Sequence, residues 1–84
     1  MGHGKRILVI EDDPSIAELV RDYLEVDGFE VVLCGDGLRG IERIRAGGHD
    51  LILLDLMLPG IDGFEVLRLA REVTDAPILV VSAR

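Results

Sequence analysis

Tryptophan is absent from this sequence, tyrosine occurs once, phenylalanine twice, cysteine once, and a single lysine stands among nine basic residues. The lone cysteine, Cys34, excludes an internal disulfide, which is the pattern expected in a reducing compartment, here the cytoplasm. Long apolar runs are missing as well. The longest uncharged one, around Leu51 to Leu54, meets Asp55 far short of the roughly 20 residues that a membrane-spanning helix needs. The opening Met-Gly-His-Gly-Lys-Arg passes directly into Ile7-Leu8-Val9-Ile10 and three acids, so the apolar region and cleavage site of a secretory signal are not found. Positive charge is scarce: sixteen acids against nine bases leave a net charge of −7. Such a balance repels phosphate backbones and anionic lipid alike, so neither direct nucleic-acid binding nor membrane attachment is expected of this chain. Its 84 residues, 49% hydrophobic and 30% charged, suit one small soluble domain and exclude a multidomain enzyme.

What the chain does contain is regular. Short apolar runs alternate with longer stretches of helical period, the pattern of parallel strands covered by crossover helices. Strands are expected at about Arg6 to Ile10, Glu30 to Leu33, Leu51 to Leu54 and Ile78 to Val81. Between the first two, Asp13 is a natural N-cap, Pro14 suits the first helical position, and Ile16, Leu19, Val20, Tyr23 and Leu24 share a face before Gly28. A second helix is expected from about Leu38 to Ala46, with Leu38, Ile41 and Ile44 inward and Gly47-Gly48 as its stop. The third runs from about Gly63 to Val73, capped by Asp62, with Phe64, Leu67, Ala70 and Val73 on one face, and Pro77 opens the last strand. The plan is βαβαβαβ, an open parallel α/β sheet between helical layers.

In sheets of this kind functional groups gather beyond the carboxyl ends of the strands. Strand one runs into Glu11-Asp12-Asp13, strand three into Asp55, strand four into Ser82. Asp13 is accounted for as a helix cap. Asp12 reads either as a loop acid or as a cation ligand: at a buried strand end facing Asp55, two carboxylates would repel and raise each other's pKa unless a hard cation such as Mg2+ joined them. Asp55 likewise reads as a turn former before Pro59-Gly60 or as a nucleophile towards phosphoryl groups. The remaining candidates read as structural: Cys34 packs as a small apolar side chain, Gly35-Asp36-Gly37 is a turn without the lysine of a phosphate loop, and His49 sits in the turn before strand three, too far from His3 for a metal pair.

The segments Ile7-Leu-Val-Ile-Glu11-Asp12-Asp13, Asp55-Leu-Met-Leu-Pro59-Gly60-Ile-Asp62-Gly63 and Pro77-Ile-Leu-Val-Val-Ser82-Ala83 together resemble receiver domains of two-component response regulators. The resemblance covers nearly the whole chain. It implies a flavodoxin-like sheet of strand order 2-1-3-4-5, with Asp55 as acceptor of a phosphoryl group from the histidine of a sensor kinase. It further implies Mg2+ held directly by Asp12 and through water by Glu11, with Asp55 and the backbone carbonyl of Met57, and it makes Ser82 the switch hydroxyl beside the small Ala83.

The family also implies five strands, five helices and a lysine after strand five. This sequence stops just after strand four, and its one lysine, Lys5, precedes strand one. The expectation is therefore the N-terminal part of a receiver, residues 1–84, with weak Mg2+ binding and impaired phosphorylation. Strand four becomes an uncharged apolar edge, so self-association through that edge is expected. Two other readings compete: a self-associating module that is not phosphorylated, and an aspartyl-nucleophile phosphatase. The latter would normally place an acid two residues after the nucleophile, where Met57 stands.

Overall fold

The computed structural model describes residues 4–81. Their order is β1 (Arg6–Ile10), α1 (Pro14–Val26), β2 (Glu30–Cys34), α2 (Gly37–Ala46), β3 (Leu51–Leu54), α3 (Gly63–Val73) and β4 (Ile78–Val80). All strand pairs are parallel, and the sheet order is β2-β1-β3-β4. This is the flavodoxin-like arrangement expected above. Two strand boundaries move by one residue: β2 extends to Cys34, and β4 closes at Val80, so that Val81 follows the strand while still donating its N–H to Leu54 O at 2.9 Å.

Each helix starts at an aspartate whose side chain satisfies backbone N–H groups left free in the first turn. Asp13 Oδ1 accepts from Ser15 at 2.9 Å and Ile16 at 3.3 Å, with Pro14 in the first helical position. Asp36 Oδ1 accepts from Arg39 at 2.8 Å, so α2 begins at Gly37, one residue earlier than expected. Asp62 Oδ1 accepts from Phe64 at 2.8 Å. The stop of α2 is Gly47 at φ 79°, a conformation glycine adopts without steric cost.

The core lies on the face of the sheet that α2 and α3 cover. Leu8, Ile10, Ile52 and Leu54 meet Ile41, Ile44, Val66 and Ala70 there, with Cys34 buried beside them as a small apolar side chain. The helix faces differ from those expected. On α3 Ala70 is inward and Leu67 half-buried, as expected, but Phe64 and Val73 of that face are exposed and Val66 is buried in their stead. On α2, Ile41 and Ile44 are inward and Leu38 is exposed. On α1, Ala17 is the buried residue; Val20 and Leu24 are half-buried, and Ile16, Leu19 and Tyr23 face water. The reason is the position of the neighbours. Helix α1 lies mainly over β2 and β1, and Ile16 and Val20 on its other flank line a small apolar cavity with Leu53 and Val81.

Among the described residues no helix is long and apolar enough to cross a membrane.

Candidate functional site

Parallel pairing puts the carboxyl ends of β1 and β3 side by side, with Ile10 in register with Leu54. The next residues, Glu11 and Asp55, are pinned by the ladder itself. The Glu11 N–H donates to Cys34 O at 3.0 Å, and the Asp55 N–H donates to Ile10 O at 3.1 Å. Glu11, Asp12 and Asp55 thereby each offer a carboxylate oxygen within 4.8 Å of the other two. They line a cleft of about 380 Å³ with Asp13, Ile16, Met57 and Val81. No lysine, arginine or histidine lines that cleft among the described residues. Lys5 lies at the opposite, amino-terminal end of the sheet, where its carbonyl accepts from Glu30 N–H at 2.9 Å.

Burial, followed by the charge of Asp55 and hydrogen bonding with Asp12 and Asp55, pushes the Glu11 carboxyl above its ordinary range, against the opposing pull of the Asp13 N–H. That N–H donates to Glu11 Oε2 at 3.1 Å. Asp12 is exposed, contrary to the expectation of a buried strand end, because the chain turns outward into the α1 cap as soon as β1 closes. Closeness of like charges, rather than burial of Asp12, makes this cluster unfavourable on its own.

The donor set suits a hard divalent cation. Mg2+ takes oxygen ligands and keeps several waters, which an exposed Asp12 beside half-buried Glu11 and Asp55 permits. Asp55 Oδ1 accepts the Met57 N–H at 2.8 Å, so the aspartate is a turn former as well. Ser82 lies outside the described residues, as does His3; the neighbouring Val81 lines the cleft.

One positioning residue escaped the reading of the sequence. A Cβ at Gly63 would stand 2.4 Å from the Leu56 Cα and 2.7 Å from its carbonyl oxygen, so only glycine lets the loop after Asp55 close on the start of α3. The available signal was a glycine directly after a capping aspartate, where it reads simply as a weak helix former. Gly37 plays the same part towards Ile61, whose Cγ2 would be 2.1 Å from an added Cβ.

The model of the response regulator receiver domain matches residues 7–84. The DNA-binding response regulator MtrA of Mycolicibacterium smegmatis is 42% identical over 80 residues, covering 95% of this chain and 35% of that protein. The response regulator TrrA of Thermotoga maritima, solved with Mg(2+)-BeF, superposes with a TM-score of 0.87 at 36% identity, over 95% of this chain and 70% of that one. The histidine kinase ThkA in complex with TrrA gives 0.88 at 38% identity, over 94% and 69%. The chain spans about a third of the length of the curated relatives it matches. With the sheet order, the acidic cluster and the match over residues 7–84 in agreement, this chain belongs to the response regulator receiver domain family.

Proposed function

We propose that Asp55 is the phosphoacceptor, that Glu11, Asp12, Asp55 and the Met57 carbonyl hold Mg2+, and that the donor is a phosphohistidine of a sensor kinase in the cytoplasm. The convergence of the three carboxylates within 4.8 Å carries this reading. The free oxygen of Asp55 attacks phosphorus, a mixed anhydride forms, the P–N bond to the donor histidine breaks, and its electron pair stays on the imidazole. The Met57 N–H holds the other oxygen and so fixes which one attacks. When bound, Mg2+ would supply the positive charge that neutralises the carboxylates and the incoming phosphoryl oxygens. In this reading Ser82, two residues beyond the end of β4 in the sequence, is the switch hydroxyl.

In this reading the chain is an acceptor and not an enzyme with a substrate of its own. The place where an acid would serve a phosphatase holds Met57, 54% exposed and without a transferable proton. Among the described residues no basic side chain lines the cleft, which supports slow, incomplete phosphorylation, because the acyl phosphate there lacks an electrostatic partner. It is also the observation that keeps the non-phosphorylated self-associating module as a second reading. The domain assigned is residues 1–84, the N-terminal part of a receiver. The acidic surface disfavours direct contact with nucleic acid.

A second copy of the chain is the other partner, met through β4. From Pro77 to Val81 the edge carries no charge, and Leu79, Val80 and Val81 are 54%, 38% and 48% exposed.

Calorimetric titration with Mg2+ tests the metal site. Weak saturable binding that Asp12→Ala or Asp55→Ala abolishes is expected; binding unchanged in both would refute it. Incubation with a phosphorylated sensor kinase tests the donor, and loss of label from the kinase without gain on the chain would rule the transfer out.

A further inference from the structure

Glycine forms helices worse than any residue except proline, yet Gly37 and Gly40 stand at the first and fourth of the ten positions of α2. Both are buried, and neither lies in the left-handed region, so no turn demands them. What they permit is close approach. A Cβ at Gly40 would stand 2.6 Å from Cδ1, 3.1 Å from Cγ1 and 3.3 Å from Cγ2 of Ile10. A Cβ at Gly37 would meet Ile61 Cγ2 at 2.1 Å and Val66 Cγ2 at 2.9 Å. Because α2 begins three residues after β2 closes, its first turn lies at the carboxyl end of the sheet, where the acidic cluster sits.

Ile10 joins the two halves of that cluster. It precedes Glu11 in the chain, and its carbonyl accepts the Asp55 N–H at 3.1 Å. Its side chain is completely buried in the core with Cys34, Ile41 and Leu54, so it has no open space into which to yield, and a push on it passes to its backbone. Ile61 in turn belongs to the loop after Asp55 that carries Met57.

We propose that Gly40 and Gly37 are positioning residues of the acidic site. The bare backbone of α2 at Gly40 lets Ile10 lie where Glu11, its neighbour, and Asp55, its hydrogen-bonded partner, present their carboxylates together, and Gly37 does the same for the Met57 loop. The inference rests on the reading of the cluster as a Mg2+ site and adds to it two residues that touch neither the ion nor the phosphoryl group. Three carboxylates within 4.8 Å share one small octahedral ion only while both strand ends hold their places.

Two compensated pairs test the proposal. Ile10→Val removes Cδ1, the atom nearest to a methyl group at position 40, so it relieves the clash that Gly40→Ala creates. Ile61→Leu removes Cγ2 and does the same for Gly37→Ala. Ile44→Ala, buried on the same helix one turn further from the site, reports loss of core packing alone. Two-dimensional NMR of the metal-free chains reads the Glu11 and Asp55 amides, calorimetry reads Mg2+ affinity, and circular dichroism confirms folding. In Gly40→Ala both amide resonances are expected to move and Mg2+ affinity to fall roughly tenfold. In Gly40→Ala/Ile10→Val both return towards wild type, and Ile44→Ala leaves both in place. Gly37→Ala lowers the affinity and Ile61→Leu restores it, a result that decides the matter should Gly40→Ala fail to fold. Unchanged affinity in Gly40→Ala and Gly37→Ala, a loss that neither compensating change relieves, or an equal loss in Ile44→Ala overturns the assignment. A wild-type chain that binds no Mg2+ refutes the metal reading instead, and amides moved by Gly40→Ala and restored by Ile10→Val in that chain still uphold the placement of Glu11 and Asp55 by Gly40.

Discussion

On one side of the sheet Leu8, Ile10, Ile52 and Leu54 lie beneath α2 and α3 and are at most 1% exposed; on the other, Leu79 of the equally apolar β4 and Val81 just after it are half open to water. The strands do not differ enough in composition to explain this. What differs is the helix above them: α2 and α3 pack on each other and close their layer, while α1 packs mainly on β2 and β1. Burial therefore depends on where the helices land as much as on the hydrophobicity of the strand. The acidic site needs only the junction of the two regions, the ends of β1 and β3, which both layers steady.

The contrast is broken most directly at the covered face. Val66→Ala and Ile52→Ala are expected to lower unfolding stability by about 1–4 kcal/mol, since each empties space between sheet and helix. Leu79→Ala and Leu19→Ala, on the open side, are expected to change it by less than about 0.5 kcal/mol under dilute conditions. Urea unfolding followed by circular dichroism measures all four, and equal losses on both sides would dissolve the distinction between the faces.

A second prediction concerns the junction. Gly63→Ala places a methyl group against the Leu56 backbone and should cost about 1–3 kcal/mol, because that contact is with main chain and cannot be relieved by rotating a side chain. Its Mg2+ affinity should fall as well, as the loop carrying Met57 shifts; unchanged stability in the same unfolding assay would show that the approach is not a constraint. Smaller is the N-cap of α1: Asp13→Ala should cost about 1 kcal/mol through loss of its bonds to Ser15 and Ile16.

The smallest expected effect is a pH dependence at the amino-terminal end. Burial first, then the Arg6 and Arg43 guanidinium groups, holds the His49 imidazole below its ordinary pKa, with Asp50 opposing. A histidine whose folded pKa is depressed contributes stability above its unfolded value near 6.5, and that contribution is lost as pH falls through the lower folded value. Stability should therefore decline slightly on acidification below neutrality, and His49→Gln should remove that part of the slope. An identical slope in the variant would show that other groups carry it.

Much of the plan was legible in the residues. Apolar runs located the four strands and three helices, and Asp13 and Asp62 were legible as the caps of α1 and α3, whereas Asp36, read as part of a turn, is the cap of α2. The acidic cluster was legible too, because adjacent parallel strands must bring their ends together. The inward helix faces were not. On helix α3 the expected face is inward only at Ala70 and half-buried Leu67: Phe64 and Val73 face water, and Val66, outside that face, is buried against the core. Likewise the outward turn at Asp12 and the contact of Gly63 with Leu56 depend on loop geometry that no periodicity encodes.

Phosphorylation of Asp55 is tested most directly by intact mass. Treated with a small acyl phosphate donor and Mg2+, the wild-type chain should gain the mass of one phosphoryl group in part of the population, and the gain should vanish without Mg2+ and in Asp55→Asn. No added mass in the wild type, or the same gain in Asp55→Asn, would contradict Asp55 as the phosphoacceptor.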